Sequence, residues 1–326
     1  MIEGEVLNDV RGFLRSRVIL SAAELNLFTR LEGQGATAKG LAEKLDCDQR
    51  ALTRLLDCLV AFQLLSKEKG TYLPTERGAL LSATHPKTEL PMVLHLSGLW
   101  ETWSGLTETV KTGSNPRRKP VTERGKDSLK AFIGAMHVVG RSLARDIANS
   151  YDLSPFKRLL DIGGATGTYT IAFLEKNPGM TAVLFDLPDV IPMAEKMLEE
   201  EGLLERVELV PGDFYKDELP KGCDLALLSA IIHQNSPKEN FDLYRKIQRA
   251  LVPGGKVLIR DHVMDPARTS PPQGTLFAIN MLVNTKGGDT YTFDEIKDAL
   301  AAAGFVEVNL VRKGERMDCL VEAKRV

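Results

Sequence analysis

The apolar positions of this chain change their period part-way along it. Over about the first 85 residues they recur at helical spacing. Ile19, Leu20, Ala23, Leu27 and Phe28 share one face, and Leu52, Leu55, Leu56, Leu59 and Val60 share another. Thr37 stands before AKGLAEKL and Asp48 before the second run. Side chains of these types accept the free N–H groups of a helix start. KEKG followed by TYLPT predicts a short hairpin turning near Gly70. Three helices and a hairpin is the winged-helix order, and residues 1–85 are read as one such domain. Residues 86–156 are read as a helical linker and substrate-pocket region. There LSGLWETWSGLTETV predicts an apolar helix carrying both tryptophans. KTGSNPRRKPVTERGKD predicts a loop with Arg117, Arg118 and Lys119 in solvent.

From Lys157 short apolar runs alternate with helical stretches, and residues 157–326 are read as the third region. Strand cores are RLLDI (158–162), AVLFD (182–186), VELV (207–210), DLALLSAI (224–231), KVLIRD (256–261), VEVNLV (306–311) and CLVEAK (319–324). Helices fall between them at 168–176, 188–201, 238–251 and 292–303. This alternation predicts an α/β fold with a mostly parallel, Rossmann-like sheet. The final two strands are joined by KGERMD alone. That is too short for a crossover helix, so they pair as an antiparallel hairpin.

Composition narrows the function classes. The 326 residues carry 42 basic and 44 acidic side chains, with 43% hydrophobic content. A chain near neutrality gains nothing from net charge toward non-specific nucleic-acid binding. The longest uncharged stretch, 269–285, is interrupted by Pro271, Pro272, Gln273, Gly274, Asn280 and Asn284, so no membrane span is expected. MIEGEVLNDV carries acids and no basic-then-apolar signal. Cys47, Cys58, Cys223 and Cys319 have no metal-ligand spacing and read as reduced thiols of a cytoplasmic protein.

Candidate chemistry gathers at strand ends, where ligands of such sheets bind. The first strand runs into Asp161-Ile162-Gly163-Gly164-Ala165-Thr166-Gly167. A dinucleotide fingerprint starting at Gly163 would need glycines where Ala165 and Thr168 stand, so hydride transfer loses support. An acid at Asp161 suits a cationic ligand, and S-adenosylmethionine carries an ammonium and a sulfonium but no phosphate. The second strand ends in FDLP, where Asp186, followed by Leu187, can accept from ribose hydroxyls. The third ends in PGDFY: Asp213, after Gly212, can receive an adenine amine, and Phe214 can cover the ring.

These motifs carry a resemblance. DIGGATG, FDLP, GDFY, the block from DLALLSAIIH to LVPGGKVLIRD, and TFDEIKDALAAAGF resemble the S-adenosylmethionine-dependent O-methyltransferases of the plant caffeate, acetylserotonin and bacterial antibiotic type. The resemblance covers nearly the whole chain. It implies a class I methyltransferase sheet, S-adenosylmethionine as cofactor with S-adenosylhomocysteine as product, and a homodimer formed through the N-terminal domain. It implies His233 as the base that deprotonates a hydroxyl and Asp261 as the acid that orients it. It also implies cofactor contacts from Met136 and from the region of Ser229, and substrate contacts from Asn280 and from Asp289 or Thr290. Phe132, Trp100 and Trp103 are candidates for the wall of an aromatic pocket, with core packing as the alternative.

The chain departs from the family pattern in places. Gln234-Asn235 follow the histidine where Asp-Trp is usual, Ser229 and Ala230 stand where a Lys or Arg is frequent, and GGDTYT replaces Gly-Gly-x-Glu-Arg-Thr. A different acceptor atom, or non-methylating chemistry on the same cofactor, is therefore the alternative enzymatic reading. A metal site is not expected, because the adjacent Asp261 and His262 would face opposite ways on a strand. A ligand-sensing DNA-binding protein is the non-enzymatic alternative. The candidate recognition helix, DQRALTRLLDCLVAF, opposes it, because it offers only Arg50 and Arg54 to phosphates.

Overall fold

The structure, a computed structural model, describes residues 4–118 and 126–326. Lys119 of the basic triplet lies outside them. The chain divides into two compact units, 4–100 with 126–138 and 101–118 with 139–326.

The first unit begins with α1 (Glu5–Glu24), α2 (Leu27–Arg30), β1 (Ala36–Thr37), α3 (Ala38–Leu45) and α4 (Gln49–Ala61). The hairpin β2 (Leu65–Glu68) and β3 (Thr71–Pro74) follows, then α5 (Glu76–Ala79) and α6 (Leu90–Gly98). Both expected caps form: Thr37 accepts from the N–H of Gly40 and Asp48 from that of Ala51. The hairpin turns at Gly70, whose φ of +83° suits a residue without a Cβ. β3 pairs antiparallel with β1 and β2. Leu27, Phe28, Leu31, Leu41, Leu56, Leu59 and Tyr72 form the core of this unit. One end of α1 is different, because Val6, Leu7, Val10, Phe13 and Leu14 are all exposed.

The stretch read as one apolar helix is broken. The C-terminal end of α6 is followed by α7 (Trp100–Ser104) and α8 (Leu106–Thr112), with interruptions at Leu99 and Gly105. A distant residue stabilises the second break. Buried Asn115 donates to the carbonyl of Thr102, and its Oδ1 would lie 2.9 Å from a Cβ at Gly105. Only a glycine lets the amide come that close.

After α9 (Lys126–Ser150) comes the sheet of the second unit. Its strands are β4 (Arg158–Ile162), β5 (Thr181–Asp186), β6 (Val207–Pro211), β7 (Cys223–Ser229) and β8 (Leu251–Asp261). The short β9 (Val263–Met264) and β10 (Tyr291–Thr292) pair with each other, and β11 (Phe305–Arg312) and β12 (Cys319–Arg325) complete the large sheet. Its order is β11-β12-β8-β7-β4-β5-β6. β4 to β8 are parallel, and β12 runs antiparallel to both β11 and β8. The helices are α10 (Thr168–Lys176), α11 (Ile191–Glu200), α12 (Pro237–Ala250), α13 (Pro272–Asn284) and α14 (Phe293–Ala302).

Strand alternation splits the core into two layers. Leu225 and Leu227 of β7 join the layer of Phe173 and Leu198, while Ala226 and Leu228 join that of Tyr244 and Ile247. Chain direction across the sheet reverses at β4: β5 and β6 lie on one side of it, β7 and β8 on the other. A crevice opens at such a reversal, at the carboxyl ends of the strands.

One strand end differs from expectation. β7 stops at Ser229, and Ala230 turns left-handed at φ +59°, donating its N–H to the carbonyl of Arg260. His233 therefore sits on a single 3₁₀ turn, Ile232–Gln234, rather than on the strand.

Leu227, fully buried at the centre of the sheet, is expected to be indispensable to packing. Leu227→Ala should cost about 2–5 kcal/mol, visible as a lower urea midpoint.

Candidate active site

The glycines after β4 are demanded by contact as well as conformation. Gly163 has φ +69° and donates its N–H to the carbonyl of Phe185. A Cβ there would lie 2.7 Å from Ile231 Cδ1, with Phe214 Cε1 at 3.7 Å. At Gly164 a Cβ would press on Leu184 and Asp161, and at Gly212 it would meet the Phe185 ring at 2.4 Å. Gly167, φ +78°, opens α10. The result is a turn of bare backbone beside Phe214, shaped for a ligand to approach closely.

The strand-end acids take different places around this turn. Asp186 accepts from the backbone N–H of Ala165 at 2.8 Å and of Leu187 at 2.7 Å. Its two oxygens are thus held open at the crevice, each with a lone pair to spare. Burial raises its pKa, and the two N–H groups oppose that rise. Asp213 accepts from the N–H of Tyr215 and pairs with Lys216 at 2.9 Å. Burial would raise its pKa, but these partners outweigh it and hold the carboxyl low. Asp161 lies beneath the loop, 1% exposed, and accepts the hydroxyl hydrogen of Thr170 at 2.7 Å. Burial, helped by the charge of Asp186, pushes it up to about 6 against that hydrogen bond.

His233 and Asp261 meet from the ends of neighbouring chain segments. His233 Nδ1 lies 2.9 Å from Asp261 Oδ2 and 3.0 Å from Oδ1. Asp261 is 2% exposed and also accepts the backbone N–H of His262. Burial disfavours its charge, yet His233, Arg260 and that N–H outweigh it and keep the carboxyl below its ordinary range. A carboxylate at Nδ1 leaves Nε2 as the nitrogen free to take a proton. The edge of the His233 ring meets Phe277 of α13, with centroids 4.8 Å apart.

The backbone of the histidine turn is clamped as well. The N–H of Asp289 donates to the carbonyl of His233 at 2.9 Å, and a Cβ at Gly288 would lie 2.4 Å from that oxygen. Asn235 is fully buried. It accepts from the Tyr215 hydroxyl at 2.6 Å and donates to Asn240, while its carbonyl accepts from the Tyr291 hydroxyl.

Against known proteins, the pattern of the O-methyltransferase domain matches residues 119–306, and that of the O-methyltransferase dimerisation domain matches residues 8–84. The chain belongs to the O-methyltransferase family. It is similar to acetylserotonin O-methyltransferase of Gallus gallus, 31% identical, across 96% of this chain and 95% of that one. It is 30% identical to 3-hydroxy-5-methyl-1-naphthoate 3-O-methyltransferase of Streptomyces sahachiroi, across 92% and 89% of the two chains. Human N-acetylserotonin methyltransferase, solved in complex with S-adenosylmethionine, superposes with a TM-score of 0.85 at 26% identity, covering 98% of this chain and 97% of that one.

Within the methyltransferase domain several expected residues are engaged elsewhere. The Asp289 carboxylate pairs with Arg268 at 3.0 Å, and the Thr290 hydroxyl donates to the carbonyl of Gly274. Neither side chain bonds the His233 ring. Ser229 accepts from Arg260 Nε at 2.8 Å. Asn280 Oδ1 accepts from Trp103 Nε1 and from Asn284 Nδ2. Met136, Phe132 and Trp100 belong to the first unit. There Phe132 packs 5.2 Å from the His95 ring and Arg17 lies over Trp100.

Phe277 and Arg268 had no signal in the residue pattern, while Asn235 and Gly288 entered it only through the altered family motifs. His262, set aside as a metal ligand, flanks Phe277 at 5.1 Å. Among the described residues no three His, Cys, Asp or Glu side chains cluster as metal ligands.

Asp161 yields a pH signature. Its folded pKa of about 6 exceeds the unfolded value of about 4. Between these values the folded state holds more protons, so stability falls as pH rises from about 4 to about 6. Urea unfolding of the ligand-free protein across that window should show this fall. Asp161→Asn should flatten it by an amount on the order of 2–3 kcal/mol.

Proposed function

We propose that the chain methylates a hydroxyl group of a small aromatic molecule, with His233 as the general base. S-adenosylmethionine, when bound, supplies a sulfonium-activated methyl group for in-line displacement and leaves as S-adenosylhomocysteine. The single observation that carries the reading is the buried His233–Asp261 pair, whose Nδ1 contact leaves Nε2 for the acceptor proton. Nε2 would take the proton of the acceptor hydroxyl, leaving its oxygen able to accept the methyl group. Asp261 stabilises the imidazolium that forms, and its buried charge does so without reorganising. Asp186 offers its remaining lone pairs to the ribose hydroxyls. Asp213 and Phe214 receive the adenine, and Gly163, Gly164 and Gly212 let the nucleoside approach.

An aromatic acceptor fits the setting of the base. Phe277 stands edge-on to His233, and the Trp103–Asn280 pair lies three residues further along α13. Relatives named for acetylserotonin and for a hydroxynaphthoate support the same class. A homodimer through the first unit accounts for the exposed Val6, Leu7, Val10, Phe13 and Leu14 of α1, an apolar strip that a second copy would cover.

Calorimetry and turnover with a panel of phenols test the reading together. His233→Ala should bind S-adenosylhomocysteine with unchanged affinity and lose about 10²–10⁴-fold in turnover. Unchanged turnover would remove the base assignment. Asp186→Ala should weaken the nucleoside by roughly tenfold or more through loss of charge-assisted hydrogen bonds. Equal affinity would refute the ribose role.

A further inference from the structure

Arg260 carries a buried charge that makes no ion pair among the described residues, although the field of its guanidinium reaches the neighbouring Asp261 carboxylate. It is 5% exposed. Its Nε donates to Ser229 Oγ at 2.8 Å and its Nη1 to the carbonyl of Met317 at 2.7 Å. Nη2 makes no hydrogen bond, and no carboxylate forms an ion pair with the guanidinium, among the described residues. The adjacent Asp261 is committed to His233 and to the backbone of His262. The guanidinium lies 5.1 Å from the centre of the Tyr169 ring. Tyr169 is itself 8% exposed, and its hydroxyl, which has the Ser229 side chain nearby, completes no well-formed hydrogen bond among the described residues. A buried charge and a buried hydroxyl each cost free energy while unpaired. Two such groups side by side point to an anion that completes both.

Their place in the sheet indicates which anion. The strand order puts β5 and β6, with Asp186 and Asp213, on one side of β4. A nucleoside held there would lie across the turn after β4 and could extend its amino-acid end toward the opposite side. That side is β7 and β8, whose register makes Ser229 and Arg260 direct neighbours. Tyr169 follows in the first turn of α10, immediately after the glycine turn. We propose that Arg260 and Tyr169 bind the carboxylate at the amino-acid end of the cofactor. Arg260 supplies a charged N–H fork, and Tyr169 donates a hydroxyl. Ser229 is a positioning residue, because its oxygen holds the guanidinium at Nε and leaves Nη2 for the ligand. The inference rests on the reading of Asp186 and Asp213 as the adenosine end.

The test is calorimetric titration of the full chain with S-adenosylhomocysteine and with the analogue lacking only its carboxylate. The wild-type protein should prefer the carboxylate by about 10- to 100-fold. Arg260→Met should reduce that preference to within about threefold, by weakening S-adenosylhomocysteine while the analogue binds as before. Tyr169→Phe should lower it by roughly 3- to 10-fold. A preference that survives Arg260→Met, or a wild-type protein without one, would overturn the proposal. Should Arg260→Met not fold, Tyr169→Phe decides: an undiminished preference overturns the proposal and a diminished one supports it. A wild-type protein that binds neither nucleoside would sink the cofactor reading itself, and this inference with it.

Discussion

The site depends on one buried contact, the carboxylate of Asp261 against the imidazole of His233. An isolated carboxylate so deep in a protein would lose its charge. This one keeps it because a ring nitrogen and a backbone N–H meet its oxygens. The contact needs two chain segments to end in register. β7 and β8 run parallel until Ser229 faces Arg260, and the left-handed turn at Ala230 then swings His233 back over the end of β8. A strand continuing straight through 230 and 231 would carry the histidine away from Asp261.

The surroundings of the histidine follow from the same constraint. A ring held through one nitrogen can still tilt, so the backbone beneath it must be fixed. Gly288 and the N–H of Asp289 fix it from below by occupying the His233 carbonyl. Arg268 holds that clamp in place by pairing with Asp289 and Glu295 and donating to the carbonyl of Thr290. Asn235 ties the histidine turn to Tyr215, next to the Phe214 that borders the glycine turn. The glycine turn and the histidine turn are thus joined by a short polar network. Buried networks of this kind specify one arrangement because each unmade bond is costly.

Much of this was legible in the residues. β4 and α10 occupy the spans their patterns predict, 158–162 and 168–176, because an apolar run, a glycine turn and a helical period follow one another without ambiguity. The antiparallel final hairpin followed from a connection too short for anything else. His233 and Asp261 were singled out through the family resemblance, and their side chains meet at 2.9 Å. Less legible were the breaks. LSGLWETWSGLTETV reads as one helix because its period is continuous. It is interrupted at Gly105, where Asn115 captures the carbonyl of Thr102. The end of β7 was misplaced by two residues, since nothing local marks Ala230 as left-handed.

The sequence by itself determined the order of elements, the glycine turn, and which acids stand at or just beyond the strand ends. These are properties of period, spacing and residue size, which act over a few neighbours. Tertiary structure alone decided what each polar group pairs with. Asp289 went to Arg268 rather than to the histidine, Ser229 became a ligand of Arg260, and Asp161 sank beneath the loop it begins. A buried hydrogen bond or ion pair is satisfied by whichever partner packing brings within about 3 Å. In this chain those partners stand tens of residues apart.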